Sequence, residues 1–381
     1  MKRTALLTWE IGLGFGHIMP MLPLARDLKS KGWRCVFALK DVREAGNLLR
    51  QEDFELLQAP FHLDKKFSVH DVQPQTMADV LEIFGFSHEQ HLAGLVYAWN
   101  NLLNLVKPDL LVASYAPLSL LCARARGIKT KLLALPFELP PMKAPLPSFR
   151  NPGNAVSGVA DARIIQTVNK VLPQVNLKAA YEIFQADETQ LLCLRELDAF
   201  AEQRIGDVKY SAPVFVTDLG PLAQWLNTGK PKVFAYLTTE LQFLEKIRQE
   251  ILISNFEFFV VLRGATDQQL KAWQTEYVKT VNHTVRLDAA LKECQAVLSY
   301  GGMGMTSAAL LAGKPTVFIT RDLEGWLTAG QAEKLGAGLH ANRRKGVKTM
   351  SLLSRTIDER FLKALSNQAL IMTNNNKNQR S

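Results

Sequence analysis

The segment Ser299-Tyr300-Gly301-Gly302-Met303-Gly304-Met305-Thr306 follows the apolar run Ala296-Val297-Leu298 and opens a helix-like run from Ser307 to Gly313. A strand, a glycine turn and a helix start make an anion site. Glycines let the backbone come close, and the first free N–H groups of the helix point at the ligand. A related element lies near the other end of the chain. Thr4–Trp9 reads as a strand, and Gly12-Leu13-Gly14-Phe15-Gly16-His17 follows it. Two such turns, one per half, predict a ligand held between two α/β domains.

The intervening sequence alternates strand and helix signals. A helix from about Met19 to Lys31 is expected, with Ile18, Leu22, Ala25 and Leu28 on one face, Pro20 in its first turn and Gly32 as its C-terminal cap. Cys35–Leu39, Leu110–Ala113 and Lys131–Leu135 read as further strands of the first half. Lys232–Leu237, Phe256–Leu262, His283–Leu287, Ala296–Ser299 and Thr316–Thr320 read as those of the second. Strands spaced by helices imply parallel sheets with right-handed crossovers. The predicted class is α/β, two Rossmann-like domains with a cleft between them. The expected ranges are 1–215 for the first domain, 216–230 for a linker, 231–371 for the second domain and 372–381 for a disordered tail. The stretch from Pro136 to Pro152 carries six of the 17 prolines and reads as a long loop, either a binding surface or a linker.

Bulk properties bound the function. The chain has 381 residues, 47% of them hydrophobic and 21% charged, enough for two cores. A net charge of +9 favours anionic partners. Four dispersed cysteines form no disulfide framework and no metal spacing, which points to a reducing cytoplasm. Glu10 and the glycines interrupt the apolar start too early for a signal peptide, and no apolar run is long enough to span a membrane. His88 and His91 stand at helical spacing without an acid or cysteine cluster, so no metal site is expected.

Gly12-x-Gly14-x-x-His17 nearly matches a dinucleotide fingerprint, with Asp41 as the ribose acid, but an imidazole stands where helix–strand packing needs a third glycine. His17 also suits a helix cap or a packing role. Its functional reading is as a base: a histidine at a helix N-terminus is held neutral by the helix dipole and is able to accept a proton.

Gly16-His17-Ile18-Met19-Pro20, followed by Leu24-Ala25-Arg26-Asp27-Leu28 and Lys31-Gly32, resembles the opening of the GT-B glycosyltransferases, in the family-one branch that includes macrolide and plant enzymes. Val285-Arg286-Leu287-Asp288, the segment 296–304, Ala312-Gly313-Lys314-Pro315 and Leu335-Gly336-Ala337-Gly338-Leu339 resemble that family's donor-binding motif. The resemblance implies a nucleotide sugar held mainly by the C-terminal domain and an acceptor held mainly by the N-terminal one. It puts His17 where the family keeps its catalytic base, with Gly14 and Gly16 in the turn near acceptor and diphosphate. It puts Thr238, Thr239, Tyr300, Gly301, Gly302, Gly304, Met305, Thr306 and Glu324 along the donor. The expected activity is transfer of a sugar to an acceptor hydroxyl, inverting and metal-independent, as no Asp-x-Asp occurs. No cofactor is expected beyond the nucleotide-sugar co-substrate.

The chain departs from the family at five places. Tyr300 occupies the phosphate-contacting histidine and cannot carry positive charge. Met305 replaces a hydroxyl residue, Ala308 a ribose-binding acid, and Gly325 the glutamine after the acid. Ser114 stands where many members have the aspartate that orients the histidine. These changes support a second reading, a catalytically inactive relative that binds ligands or regulates a partner. A nucleotide-sugar epimerase is a further option on this scaffold. The expected acceptor is a small molecule or a lipid-linked one, not nucleic acid. The basic run Arg343-Arg344-Lys345 with Lys348 would serve peripheral contact with the inner face of a membrane, or simply face solvent.

Overall fold

The computed structural model describes residues 2–12, 15–61, 74–150, 155–206, 208–211 and 220–358. These fall into two compact units, one from Met1–Leu192 and Phe200–Ser211, the other from Cys193–Ala199 and Ala212–Ser381. The short piece Cys193–Ala199 therefore groups with the second unit, outside the second-domain range of 231–371 read from the sequence.

Among the described residues the first unit holds a seven-stranded parallel sheet. Its strands are β1 (Thr4–Trp9), β2 (Arg34–Leu39), β3 (Glu55–Gln58), β4 (Leu110–Ala113), β5 (Lys129–Ala134), β6 (Glu188–Leu192) and β7 (Tyr210–Ser211), in the order β3-β2-β1-β4-β5-β6-β7. The second unit holds six parallel strands: β8 (Lys232–Thr238), β9 (Glu257–Arg263), β10 (Val278–Val281), β11 (Ala296–Ser299), β12 (Thr316–Phe318) and β13 (Gly338–His340), in the order β10-β9-β8-β11-β12-β13. Each sheet starts at an inner strand, runs outward to one edge, then returns to the centre and runs to the other. The reversal falls between β1 and β4 in one unit and between β8 and β11 in the other. Ligands of such sheets bind beyond the carboxyl ends of the strands at that reversal. The two glycine turns leave β1 and β11 there.

The strands read as apolar runs because helices cover both faces. All six residues of β1 are buried, with Leu6 paired to Val36 on one side and to Leu111 on the other. The helix Met21–Ser30 buries Met21, Leu22, Ala25 and Leu28. It stops at Gly32, whose φ of +84° turns the chain so that Trp33 N–H reaches Leu28 O. In the second unit, one core layer gathers Val233, Leu237, Phe258, Val260 and Leu298, and the opposite layer gathers Trp225, Phe234, Phe259 and Val297.

One element differs from the sequence reading. His283–Leu287 is not a strand. The edge strand is Val278–Val281, and Leu287 begins the helix Leu287–Glu293. His283 turns back on its own neighbourhood, Nδ1 lying 2.9 Å from Thr284 O, and Arg286 N–H bonds to Pro221 O. These local bonds compete with a ladder. The Pro-rich segment is well packed: Leu146 and Phe149 are buried, Phe149 N–H bonds to Gln75 O, and buried Asp161 accepts from Leu146 N–H. Among the described residues no helix is long and apolar enough to cross a membrane.

Glu10, just past β1, caps a helix from a distance. The helix Pro117–Ala125 starts at Ala116, which has no side chain able to cap it. Glu10 supplies the acceptors instead, taking Leu118 N–H at 2.9 Å and Ser119 N–H at 2.6 Å. Burial pushes its carboxyl up to about 8, against the opposing pull of those donors. A raised folded value means the native state binds more protons than the unfolded one from about 4.5 up to about 8, so stability falls as pH rises through that window. His340, pushed down to about 4 by burial, is neutral in both states in the upper part of it. Unfolding free energies from urea titrations are therefore expected to drop between about pH 7 and about pH 8.5, by roughly 1 kcal/mol. Glu10→Gln should flatten that slope; an unchanged slope would refute the assignment.

Candidate active site

In the first unit the chain leaves β1 and turns through Gly12 into a short helix, Phe15–His17. His17 is buried, 4% exposed. Its imidazole stacks on Trp9, with centroids 5.5 Å apart, and meets Tyr115 at 5.6 Å. Gly12, at φ +88°, makes room for the ring: a Cβ there would lie 2.2 Å from His17 Nε2. Lys40 fixes the same turn by donating to Gly12 O at 2.9 Å. Tyr115 follows β4 in the left-handed region, φ +45°, and its carbonyl accepts from Glu10 and Ile11 N–H. A tyrosine held there costs roughly 1–3 kcal/mol, a strain typical of functional sites.

The acidic neighbour of the ring is Glu138. Its Oε1 lies 2.8 Å from His17 Nδ1, and the carboxylate is as buried as the imidazole. The approach is a close charge-to-ring contact rather than a straight hydrogen bond, and neither atom has another partner. Local chain geometry carries the acid there. Glu138 N–H bonds to Leu135 O in a turn with Pro136 at its second position, a place proline favours. Leu135 N–H bonds back to Glu138 Oε2 at 2.9 Å. Arg204 clamps the turn by donating to Leu139 O and Pro136 O. Among the described residues nothing hydrogen-bonds His17 Nε2. Ser114 is buried at the end of β4 and bonds through its N–H to Thr8 O; the carboxylate beside the imidazole comes from β5's exit instead. Gly16 is exposed with open space about it, and Gly14 lies outside the described residues. Asp41 caps the helix Val42–Gln51 and pairs with Arg43.

In the second unit the glycine turn joins β11 to the helix Met303–Leu311, with Gly302 at its N-cap. Gly301 N–H bonds to Ser299 Oγ, and Gly301 sits at φ +91°. Thr306 is buried, its hydroxyl donating to Gly302 O at 2.9 Å. Met305 and Ala308 lie in the core with Trp225, Phe259 and Val285, so these two departures fill the interior. Gly304 is exposed on the first turn of the helix. Gly325 also has a packing cause. A Cβ at 325 would sit 2.7 Å from Tyr300 O, and one at 301 would sit 2.8 Å from Gly325 O. The two backbones touch, and only glycine fits at either place. Thr238 Oγ1 accepts from Glu240 N–H, and Thr239 packs its hydroxyl against Gly264. Glu324 lies half-buried in the first turn of the helix Leu323–Lys334.

Tyr300 stacks on Tyr236 at 5.6 Å and carries the Arg321 guanidinium over its ring at 5.4 Å. Burial holds its phenol well above the usual range, so it stays protonated. Of the basic run, Arg343 and Arg344 both pair with Glu333. His88 caps the helix Glu89–Val106, accepting from His91 N–H. Among the described residues no group of three or more His, Cys, Asp or Glu is gathered as a metal site.

No family model matches the sequence, and no curated protein matches it either. Solved structures match over nearly the whole chain. The calicheamicin glycosyltransferase CalG4 shares 17% identity at a TM-score of 0.72, covering 99% of this chain and 96% of that one. The spinosyn rhamnosyltransferase SpnG, complexed with thymidine diphosphate, shares 14% at a TM-score of 0.70, covering 97% and 96%. The glycosyltransferase SsfS6 of Streptomyces sp. SF2575, also complexed with thymidine diphosphate, shares 17% at 0.67, covering 98% and 96%. The chain has the fold of the GT-B glycosyltransferases, two parallel sheets each flanked by helices.

Proposed function

We propose that this protein is a glycosyltransferase that moves a sugar from a nucleoside-diphosphate sugar to an acceptor hydroxyl, with inversion and without a metal ion. The observation that carries this reading is the buried pair of His17 and Glu138 beyond the carboxyl end of β1. The carboxylate lies against Nδ1, so the tautomer with its proton on Nδ1 is the favoured one and Nε2 is the atom left to act as the base. His17 Nε2 takes the acceptor's proton as its oxygen attacks the anomeric carbon. The carboxylate then faces the imidazolium as it forms. Backbone N–H groups at the start of the helix Met303–Leu311 offer donors for the departing diphosphate. Structures of that fold with thymidine diphosphate bound support a nucleoside diphosphate as the leaving group here.

The test is sugar transfer by the purified chain across a panel of nucleotide sugars and hydroxyl acceptors. Glu138→Gln is expected to lower kcat by roughly 10- to 1000-fold at neutral pH, with KM for the donor little changed. It should also move the acidic limb of the rate–pH profile, where the base must lose its proton, to lower pH, since the charge that faces the imidazolium is gone. Glu138→Asp should recover part of the rate. A Glu138→Gln enzyme with wild-type kcat and pH profile would remove the carboxylate from the mechanism.

A further inference from the structure

Position 300 carries no charge, yet a leaving diphosphate needs a cation or its equivalent. The strand order shows where one stands. β11 lies between β8 and β12, so Tyr300 emerges between the residues that follow those two strands. From one side comes Glu240, two residues past β8. From the other comes Arg321, past β12. They meet: Arg321 Nη1 donates to Glu240 Oε2 at 2.8 Å. The ion pair therefore spans the exit of β11. Beneath it the Tyr300 ring lies against the turn, 3.3 Å from where a Cβ of Gly302 would be.

The two partners of this bridge are unlike. Arg321 is largely enclosed, 22% exposed, and Asp322 Oδ2 holds its Nε and Nη2 side at 2.9 and 2.7 Å. That leaves Nη1, and Glu240 occupies it, while the guanidinium lies over the ring of Tyr300, the first residue of the turn. Glu240 is 54% exposed, and an ion pair with one wet member exchanges readily. A phosphate oxygen makes the same charge-assisted bond to a guanidinium edge with more charge behind it.

We propose that Arg321 is the cation that meets the donor's diphosphate in this chain, and that Glu240 is an internal competitor which that diphosphate displaces. The inference rests on the sugar-donor reading above, and its test separates the two. Isothermal titration of the full chain would use UDP, TDP, GDP and ADP, with uridine and thymidine as uncharged controls. Glu240→Gln is expected to bind its preferred diphosphate about 2- to 5-fold more tightly than wild type. Arg321→Gln should bind it at least about 10-fold more weakly and with a shallower salt dependence, and Arg321→Lys should fall between. Affinity for the nucleoside should not move in either. A purely structural bridge would instead give both variants the same sign. Opposite signs support the proposal. Equal signs, or no change in Glu240→Gln against a wild type that binds, overturn it and leave the donor reading standing. A wild type that binds none of the four diphosphates overturns both. Glu240 is exposed enough that its variant decides the matter even if Arg321→Gln fails to fold.

Discussion

His17→Ala is expected to lower kcat for sugar transfer by roughly 10²- to 10⁴-fold, the usual contribution of a positioned base. Affinity for the nucleoside diphosphate should be unchanged, because the glycine turn proposed to hold it belongs to the other unit. Alanine also leaves Glu138 Oε1 without the imidazole it faces, and an unpaired buried charge destabilises. His17→Gln controls for this, offering the carboxylate an amide donor that cannot take a proton. If both variants fold and both lose the rate, the loss lies in the chemistry. Undiminished transfer by His17→Gln would sink the assigned role, whatever the alanine variant does.

The second large effect is expected at the other turn. Gly301→Ala puts a Cβ on a backbone at φ +91° and 2.8 Å from the carbonyl oxygen of Gly325. The obstacle is main chain, so no side-chain rotation relieves it. Strain and overpacking together should cost about 3–5 kcal/mol of stability in the second unit and weaken diphosphate binding by at least 100-fold. Gly304→Ala is the contrasting control. It lies two residues into the helix Met303–Leu311 with nothing within 4 Å of the added methyl, so it should stabilise by up to about 1 kcal/mol. Thermal melting and titration with a nucleoside diphosphate read both. A Gly301→Ala protein as stable as wild type would contradict the backbone contact described above.

Local signals carried most of the architecture. Apolar runs closed by glycine mark β1 and β11, and their turns stand at the strand-order reversal of each sheet. Glu138 was hidden because its meaning depends on a neighbour 121 positions away. Within its own segment it reads as one acid among prolines, and only the Pro136-led turn after β5 brings it to His17. Met305 and Ala308 read as lost ligand contacts because sequence shows residue type but not which side of a helix faces the core. The misplaced strand at His283–Leu287 shows the same gap. Alternating apolar residues suit a strand, but an edge position went to Val278–Val281, whose neighbours β9 could pair. Arg321 carried no motif, since its partner on Tyr300 comes from a different strand.

The close approach of residues 301 and 325 constrains protein engineering. A glutamine at 325, the residue the sequence resemblance leads one to expect after Glu324, would drive a side chain into the carbonyl of Tyr300. That single substitution should yield misfolded material rather than a new ligand contact. Any redesign of this corner must therefore rebuild the helix start at Asp322 and the loop at Tyr300 together, as one block.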